Sequence, residues 1–266
     1  MRPERPHILV TNDDGIRAPG LLALKNACSK LGKVTVLAPA RNWSASGHVK
    51  TMHKPLRLEE MLLDDGTPAL STTGAPSDAV ALALLGAIPE PIDLVVSGVN
   101  EGANLGHDVT YSGTVTAAME ATIFGVKAVA VSLDSRDCED FTVAAMWGAQ
   151  VARAVLDQGL PRDVLLNVNL PPLPADRIAG VQITRMGLRI YRDELTERVD
   201  PRGRPYYWIV GQEPTGIEDE GTDIWAVAND YVSVTPIQLD LTAYKVMDCL
   251  HDWDLADKGI EADEGC

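Results

Sequence analysis

The sequence predicts an α/β protein: a mostly parallel sheet with helices on both faces, continued by an antiparallel C-terminal excursion and a tail helix. Three observations lead there. Residues 7–10, His-Ile-Leu-Val, form a short apolar run stopped by a turn signal, which reads as a buried parallel strand. Further runs of this kind alternate with helical patterns through the first half, as right-handed crossovers require. The second half changes to β-branched and aromatic runs separated by polar, Gly- and Pro-containing turns, which favour antiparallel pairing.

The elements follow in order. The first strand runs into Thr11-Asn12-Asp13-Asp14-Gly15, and Pro19-Gly20 leads into a helical pattern at Leu21, Leu22, Leu24 and Ala27. Residues 34–38 read as a second strand stopped by Pro39, and residues 94–97 and 128–132 as further buried strands. Helical spacing covers 77–85, 114–124 and 141–156. Residues 164–169 can close the sheet before the proline-rich stretch 170–174. Runs at 181–184, 206–210 and 231–235 suggest a long hairpin over residues 180–230. Residues 240–255 regain helical spacing, with Leu241, Tyr244, Leu250 and Trp253 available for docking, and 257–266 are polar and expected to fray. The expected division is a catalytic core over 1–178 and a hairpin, assembly and tail region over 179–266.

Charge narrows the partners. With 38 acidic against 23 basic residues the formal charge is −15, so no basic field exists to draw a nucleic-acid polymer. The same balance disfavours an anionic membrane surface. Small phosphate compounds stay compatible, because a bound metal reverses the local potential. Cys28, Cys138, Cys249 and Cys266 are widely spaced, form no CxxC, and read as reduced thiols. No apolar stretch approaches membrane-spanning length, and residues 1–6 lack the apolar region of a signal peptide, so the expected compartment is the cytoplasm.

The chemistry gathers where strands end. In open α/β sheets the reactive crevice lies beyond the carboxyl ends of the strands. Asp13 and Asp14 sit there, and adjacent carboxylates repel unless one holds a proton or a cation intervenes. A hard divalent metal resolves the conflict, since Mg²⁺, Mn²⁺ and Ca²⁺ favour carboxylate and amide oxygens. Three more polar, glycine-containing segments follow strands of the same sheet: 41–48, 98–106 and 111–116. Ser44 and Asn100 offer neutral oxygens to extend the metal shell, leaving positions for water and substrate. Ser112-Gly113-Thr114 at a helix start supplies hydroxyls and free N–H groups for an anion.

Taken singly, each feature has a plainer meaning. Asp-Asp-Gly is a common solvated turn, Ser112 or Thr114 a helix cap, and Asn100 or Asn104 a turn former. Residues 71–78 read as a loop plus a cap, and lone histidines such as His48 and His107 as structural. Neither a Walker A motif, a GxSxG elbow, nor a GxGxxG after the first strand is present. Metal and anion nest together point to phosphoryl chemistry.

In combination these segments closely resemble the SurE family, the stationary-phase survival proteins that act as metal-dependent 5′/3′-nucleotidases. The matching pieces are Asn12-Asp13-Asp14-Gly15-Ile16 with Ala18-Pro19-Gly20, Ala38-Pro39 with Arg41-Asn42 and Ser44, Thr73-Gly74-Ala75-Pro76-Ser77-Asp78, and Val96-Ser97-Gly98-Val99-Asn100. They continue with Asn104-Leu105-Gly106, Tyr111-Ser112-Gly113-Thr114-Val115, Leu166-Asn167-Val168-Asn169, Gly221-Thr222-Asp223 and Tyr231-Val232-Ser233-Val234-Thr235-Pro236, in family order.

The resemblance implies a Rossmann-like core and hydrolysis of nucleoside monophosphates to nucleoside and phosphate. It implies one divalent metal ion per subunit, Mg²⁺ or Mn²⁺, held by Asp13, Asp14, Ser44 and Asn100. Asp13, Asp14 and Asn100 are then the catalytic candidates, and Asn12, Asn104, Ser112, Gly113 and Thr114 the substrate- and phosphate-binding ones. It further implies a homodimer or homotetramer built through the hairpin and tail. Trp43 stands where a polar or basic residue is common, and the acidic tail after Trp253 follows no recognised pattern. Two rivals compete: a metal-dependent nucleotide-sugar glycosyltransferase, and a non-enzymatic nucleotide or metal sensor.

Overall fold

The computed structural model describes residues 5–137, 139–211 and 214–253. The chain runs through β1 (His7–Thr11), α1 (Pro19–Cys28), β2 (Lys33–Pro39), β3 (Leu58–Leu62), β4 (Pro68–Thr72) and α2 (Pro76–Leu82). It continues through β5 (Leu94–Glu101), α3 (Gly113–Ile123), β6 (Lys127–Leu133), α4 (Thr142–Gln158) and β7 (Val164–Leu170). The C-terminal part holds β8 (Gly180–Ile183), β9 (Arg189–Ile190), β10 (Asp193–Val199), β11 (Pro205–Gly211), β12 (Thr215–Gly216), α5 (Asp223–Ala228), β13 (Tyr231–Gln238) and α6 (Tyr244–His251).

Nine strands form one sheet in the order β3-β4-β2-β1-β5-β6-β7-β13-β8. The six strands from β4 to β7 run parallel, while β3 pairs antiparallel with β4 and β13 antiparallel with β7. All five residues of β1 are buried, because helices cover both faces of the sheet. Side chains alternate accordingly. Ile8 and Val10 pack with Leu21, Leu24, Ala145 and Ala152 of α1 and α4. Leu9 joins Val80, Val115 and Ala118 of α2 and α3 on the opposite face. Pro19 occupies the first turn of α1, where its missing N–H costs nothing. Gly20 is required there, since a Cβ would lie 2.2 Å from Val99 O. From β1 the chain goes to β2 on one side and β5 on the other, so the β1–β5 boundary is the topological switch point.

Three elements differ from the sequence expectation. The helix predicted over 77–85 ends as α2 at Leu82 and continues as a π-helical turn, Ala83–Ala87, broken by Gly86 at φ +115°. The excursion predicted as one hairpin over 180–230 divides into separate pieces. Its hairpin is β10 against β11 alone, while β8 lies parallel to β13 in the main sheet. Short runs of β-branched residues fit either arrangement, and nonlocal parallel pairing leaves no local signature. The sheet therefore draws strands from both sides of residue 178. Finally, α6 is shorter than predicted, and Leu241, Tyr244, Leu250 and Trp253 are all exposed rather than docked on this chain. Leu255, residues 257–266, Cys138 and Cys266 lie outside the described residues. The strands β3 and β4 and the short helix α5 carry too few periodic residues to read from sequence. Among the described residues no helix is long and apolar enough to cross a membrane.

Candidate active site

The turn after β1 is braced by its own side chain. Asn12 Nδ2 donates to Gly15 O at 3.0 Å and its Oδ1 accepts from the Gly15 N–H at 3.2 Å. Gly15 closes that turn at φ +105°, where a Cβ would press on the Arg41 backbone at 3.1 Å. The loop after β2 is stitched alongside: Ile16 N–H donates to Pro39 O at 2.8 Å, and Trp43 N–H to Asp13 O at 2.8 Å. Asn12 thus serves as a brace, and the two aspartates project from a fixed turn.

Asp13 is buried against the start of α3. The Thr114 hydroxyl donates to Asp13 Oδ1. A Cβ on Gly113 would lie 2.7 Å from Asp13 Cβ, so only glycine lets the helix approach this closely. Ser112 caps α3 by accepting from Val115 N–H at 3.1 Å. Burial pushes the Asp13 carboxyl up, opposed by hydrogen bonds from the Thr114 hydroxyl and nearby backbone N–H groups. The anion seated at the α3 N-terminus is therefore Asp13 itself.

Asp14 is more open. Its Oδ2 accepts from Glu101 N–H at 3.2 Å and its Oδ1 from Asn42 Nδ2 at 3.5 Å. Burial and then the Asp13 charge push its carboxyl up to about 7. Among the described residues no Lys, Arg or His side chain forms an ion pair with either aspartate.

The other proposed ligands stand one and two residues from groups bonded to Asp14: Asn100 next to Glu101, and Ser44 two after Asn42. Asn100 precedes Glu101, beyond a register shift in β5, and its Nδ2 donates to Gly102 O at 2.7 Å. That bond leaves the amide oxygen as the atom for a cation. Ser44 is exposed, and its N–H donates to Asn42 Oδ1 at 2.7 Å, so Asn42 ties Ser44 to Asp14. Two carboxylates, an amide oxygen and a hydroxyl are hard donors that fit Mg²⁺ or Mn²⁺. Among the described residues no group of three or more His, Cys, Asp and Glu is placed for a metal, so a cation here must take neutral oxygens too.

Asn104 is placed differently. Its Nδ2 donates to Ser132 Oγ at 2.8 Å, its N–H to Asn169 Oδ1 at 2.8 Å, and its carbonyl accepts from Asn167 and Asn169. It anchors the loop after β5 to the ends of β6 and β7. The structure so brings Asp13, Asp14, Gly113 and Thr114 together, sets Ser44 and Asn100 beside them, and engages Asn12, Asn104 and Ser112 in local scaffolding.

Sequence reasoning missed the clamps around this centre. Residues 47–51 form a strap across α2 and α3. Glu120, 4% exposed, accepts from Lys50 Nζ at 3.1 Å and bonds His48 Nε2 at 2.8 Å. Asp78 accepts from the N–H and hydroxyl of Thr51 at 2.9 and 2.6 Å. A single acid in the apolar α3 was the available signal, but its partners lie about 70 residues away. From the C-terminal side, buried Asp223 accepts from the N–H groups of Gly106, Gly187 and Ile224 at 2.8, 2.7 and 2.9 Å.

The chain is similar to known proteins over most of its length. A family model described as survival protein SurE matches residues 8–193. A 5′-nucleotidase SurE from Herpetosiphon aurantiacus is 54% identical over 238 residues, 89% of this chain and 93% of the relative. One from Geobacter sulfurreducens is 50% identical over 251 residues, 94% of each chain. The crystal structure of the SurE protein from Aquifex aeolicus superposes with a TM-score of 0.80 at 43% identity, covering 92% of this chain and 98% of that one.

Proposed function

The chain belongs to the SurE family, and on that premise we propose that it is a metal-dependent nucleotidase hydrolysing nucleoside monophosphates to nucleoside and phosphate. The observation that carries this reading is the contact of Asp13 with Gly113 and Thr114, which sets paired carboxylates against a helix N-terminus. The helix end thus holds in place one of the two carboxylates that would face a cation.

Asp13, Asp14, Ser44 and Asn100 would hold one Mg²⁺ or Mn²⁺ ion per subunit. When bound, that ion would polarise the phosphoryl oxygens and lower the pKa of the attacking water. The chain's own groups do the rest. Thr114 fixes the Asp13 carboxylate, which orients the water and accepts its proton. The N–H groups of Gly113 and Thr114 face the Asp13 carboxylate at the start of α3 and help keep it charged for that task. The bond from the water oxygen to phosphorus forms, the ester P–O bond breaks, and the nucleoside hydroxyl leaves with the proton that Asp13 took from the water. Ser112, Asn12 and Asn104 keep these groups in place through the bonds described above.

We assign assembly as a homodimer or homotetramer to the hairpin, whose strand β11 is exposed, and the tail, and the cytoplasm as the compartment, on the four widely spaced thiols. The test is phosphate release from a panel of mononucleotides crossed with Mg²⁺, Mn²⁺, Zn²⁺ and Co²⁺. Release with Mg²⁺ or Mn²⁺ and none in EDTA is expected. A requirement for a sugar acceptor points instead to the glycosyltransferase, and binding without phosphate release to the sensor.

A further inference from the structure

Tyr111 directly precedes Ser112-Gly113-Thr114 and is 61% exposed. Its exposure does not come from a loose loop. The Tyr111 N–H donates to Asp108 O at 3.0 Å, and its carbonyl accepts from Gly47 N–H at 2.9 Å. The backbone is thus held on both sides while the ring stands free at the rim of the site.

A second ring stands at the same place. The Tyr191 hydroxyl donates to Asp108 Oδ1 at 2.7 Å, and Arg189 Nε donates to Asp108 Oδ2 at 2.7 Å. Arg189 and Asp108 are largely shielded, so this pair is a firm peg rather than a loose surface contact. Tyr191 is 39% exposed, and both tyrosines bond Asp108, Tyr111 through its backbone N–H and Tyr191 through its hydroxyl. Two exposed tyrosines therefore bond Asp108, and Tyr111 stands two residues before the glycine that touches Asp13.

Aromatic rings offered to solvent beside the proposed metal and phosphoryl site suit a ligand with one flat apolar part and one anionic part. We propose that Tyr111, walled by Tyr191, is the surface on which the base of the nucleotide stacks. The proposal rests on the nucleotidase reading and adds to it the residues that favour a nucleotide over a plain sugar phosphate. Stacking needs the ring and not the hydroxyl, and it tolerates any base because every base has a π-face.

The experiment compares AMP with ribose 5-phosphate, which shares the scissile phosphate and lacks the base, using full-length protein with Mn²⁺. Wild type is expected to show a lower KM for AMP. Tyr111→Ala should raise the AMP KM about tenfold while kcat and the ribose 5-phosphate KM hold, and Tyr111→Phe should restore the AMP preference. An unchanged AMP KM in Tyr111→Ala overturns the proposal. So does an equal rise for both substrates, with or without a fall in assembly mass, since that marks loop damage or a subunit contact. Wild type active on both compounds with equal KM removes the subsite and leaves the nucleotidase reading intact. Wild type inactive on both overturns that reading, and the subsite with it.

Discussion

The sheet core and the β10–β11 hairpin spend their apolar residues in opposite ways. In β1, β5 and β6 nearly every residue is buried, and the loops after β1 and β5 are tied by side-chain bonds to other segments. In β11 every residue is exposed, including Trp208 at 58% and Ile209 at 78%, and α6 buries none of its residues. A two-stranded ribbon is marginal alone, and an apolar patch of this kind marks a contact surface. The core thus completes itself within one chain and can hold catalytic groups rigidly. The hairpin leaves its apolar residues uncovered within one chain, which is why assembly is proposed for it and chemistry for the core.

The sharpest way to break this division is Gly113→Ala. The new methyl group would lie 2.7 Å from Asp13 Cβ and 2.8 Å from Asp13 Oδ2, so the carboxylate must move. Turnover should fall by about 10²-fold or more, with near-native circular dichroism. A normal rate would mean that the Asp13 position does not matter.

A smaller effect separates two neighbours. Thr114→Ala removes the hydroxyl from Asp13 Oδ1 and should cut kcat by roughly 10²-fold with little change in melting temperature. Ser112→Ala removes a cap and should cost about 1 kcal/mol of stability with turnover nearly intact. If both variants melt lower and hydrolyse AMP normally, the catalytic role of the α3 N-terminus is wrong.

The smallest effect on turnover belongs to the hairpin. Replacing Trp208 and Ile209 together by Glu should lower the mass seen by light scattering while leaving kcat within a few-fold. Unchanged mass would rule the hairpin out as the assembly element. Loss of kcat with unchanged mass would show that Arg189 and Tyr191, just before the hairpin, pass its state to Asp108.

The same contrast explains what was legible in the sequence. Buried parallel strands announce themselves as apolar runs, and the turns at their ends repeat Asn, Asp, Ser and Gly, so Asp13, Asp14, Asn100 and Ser112-Gly113-Thr114 could be found one loop at a time. What joins them could not. The Thr114–Asp13 bond spans 101 residues and Glu120–His48 spans 72, and nothing local encodes either pairing. Nor does a short strand reveal its partner: β8 looked like half of a hairpin and lies parallel to β13. Asn12 and Asn104 were legible as polar residues in the right loops, but whether an amide faces substrate or its own backbone depends on the turn, and here both brace loops. The helical spacing over 240–255 marks an apolar face available for docking, yet Leu241, Tyr244, Leu250 and Trp253 remain exposed on this chain.

The central claim is that the Asp13–Asp14 pair works through a bound cation. Phosphate release from AMP should be titrated with Mn²⁺ after EDTA treatment, for wild type and for Asp14→Ala. Wild type is predicted to be inactive without metal and to recover with a saturating dependence on Mn²⁺. Asp14→Ala should stay folded and inactive across the same range. Full activity of the metal-free wild type, or Mn²⁺-dependent activity of Asp14→Ala equal to wild type, would contradict the account.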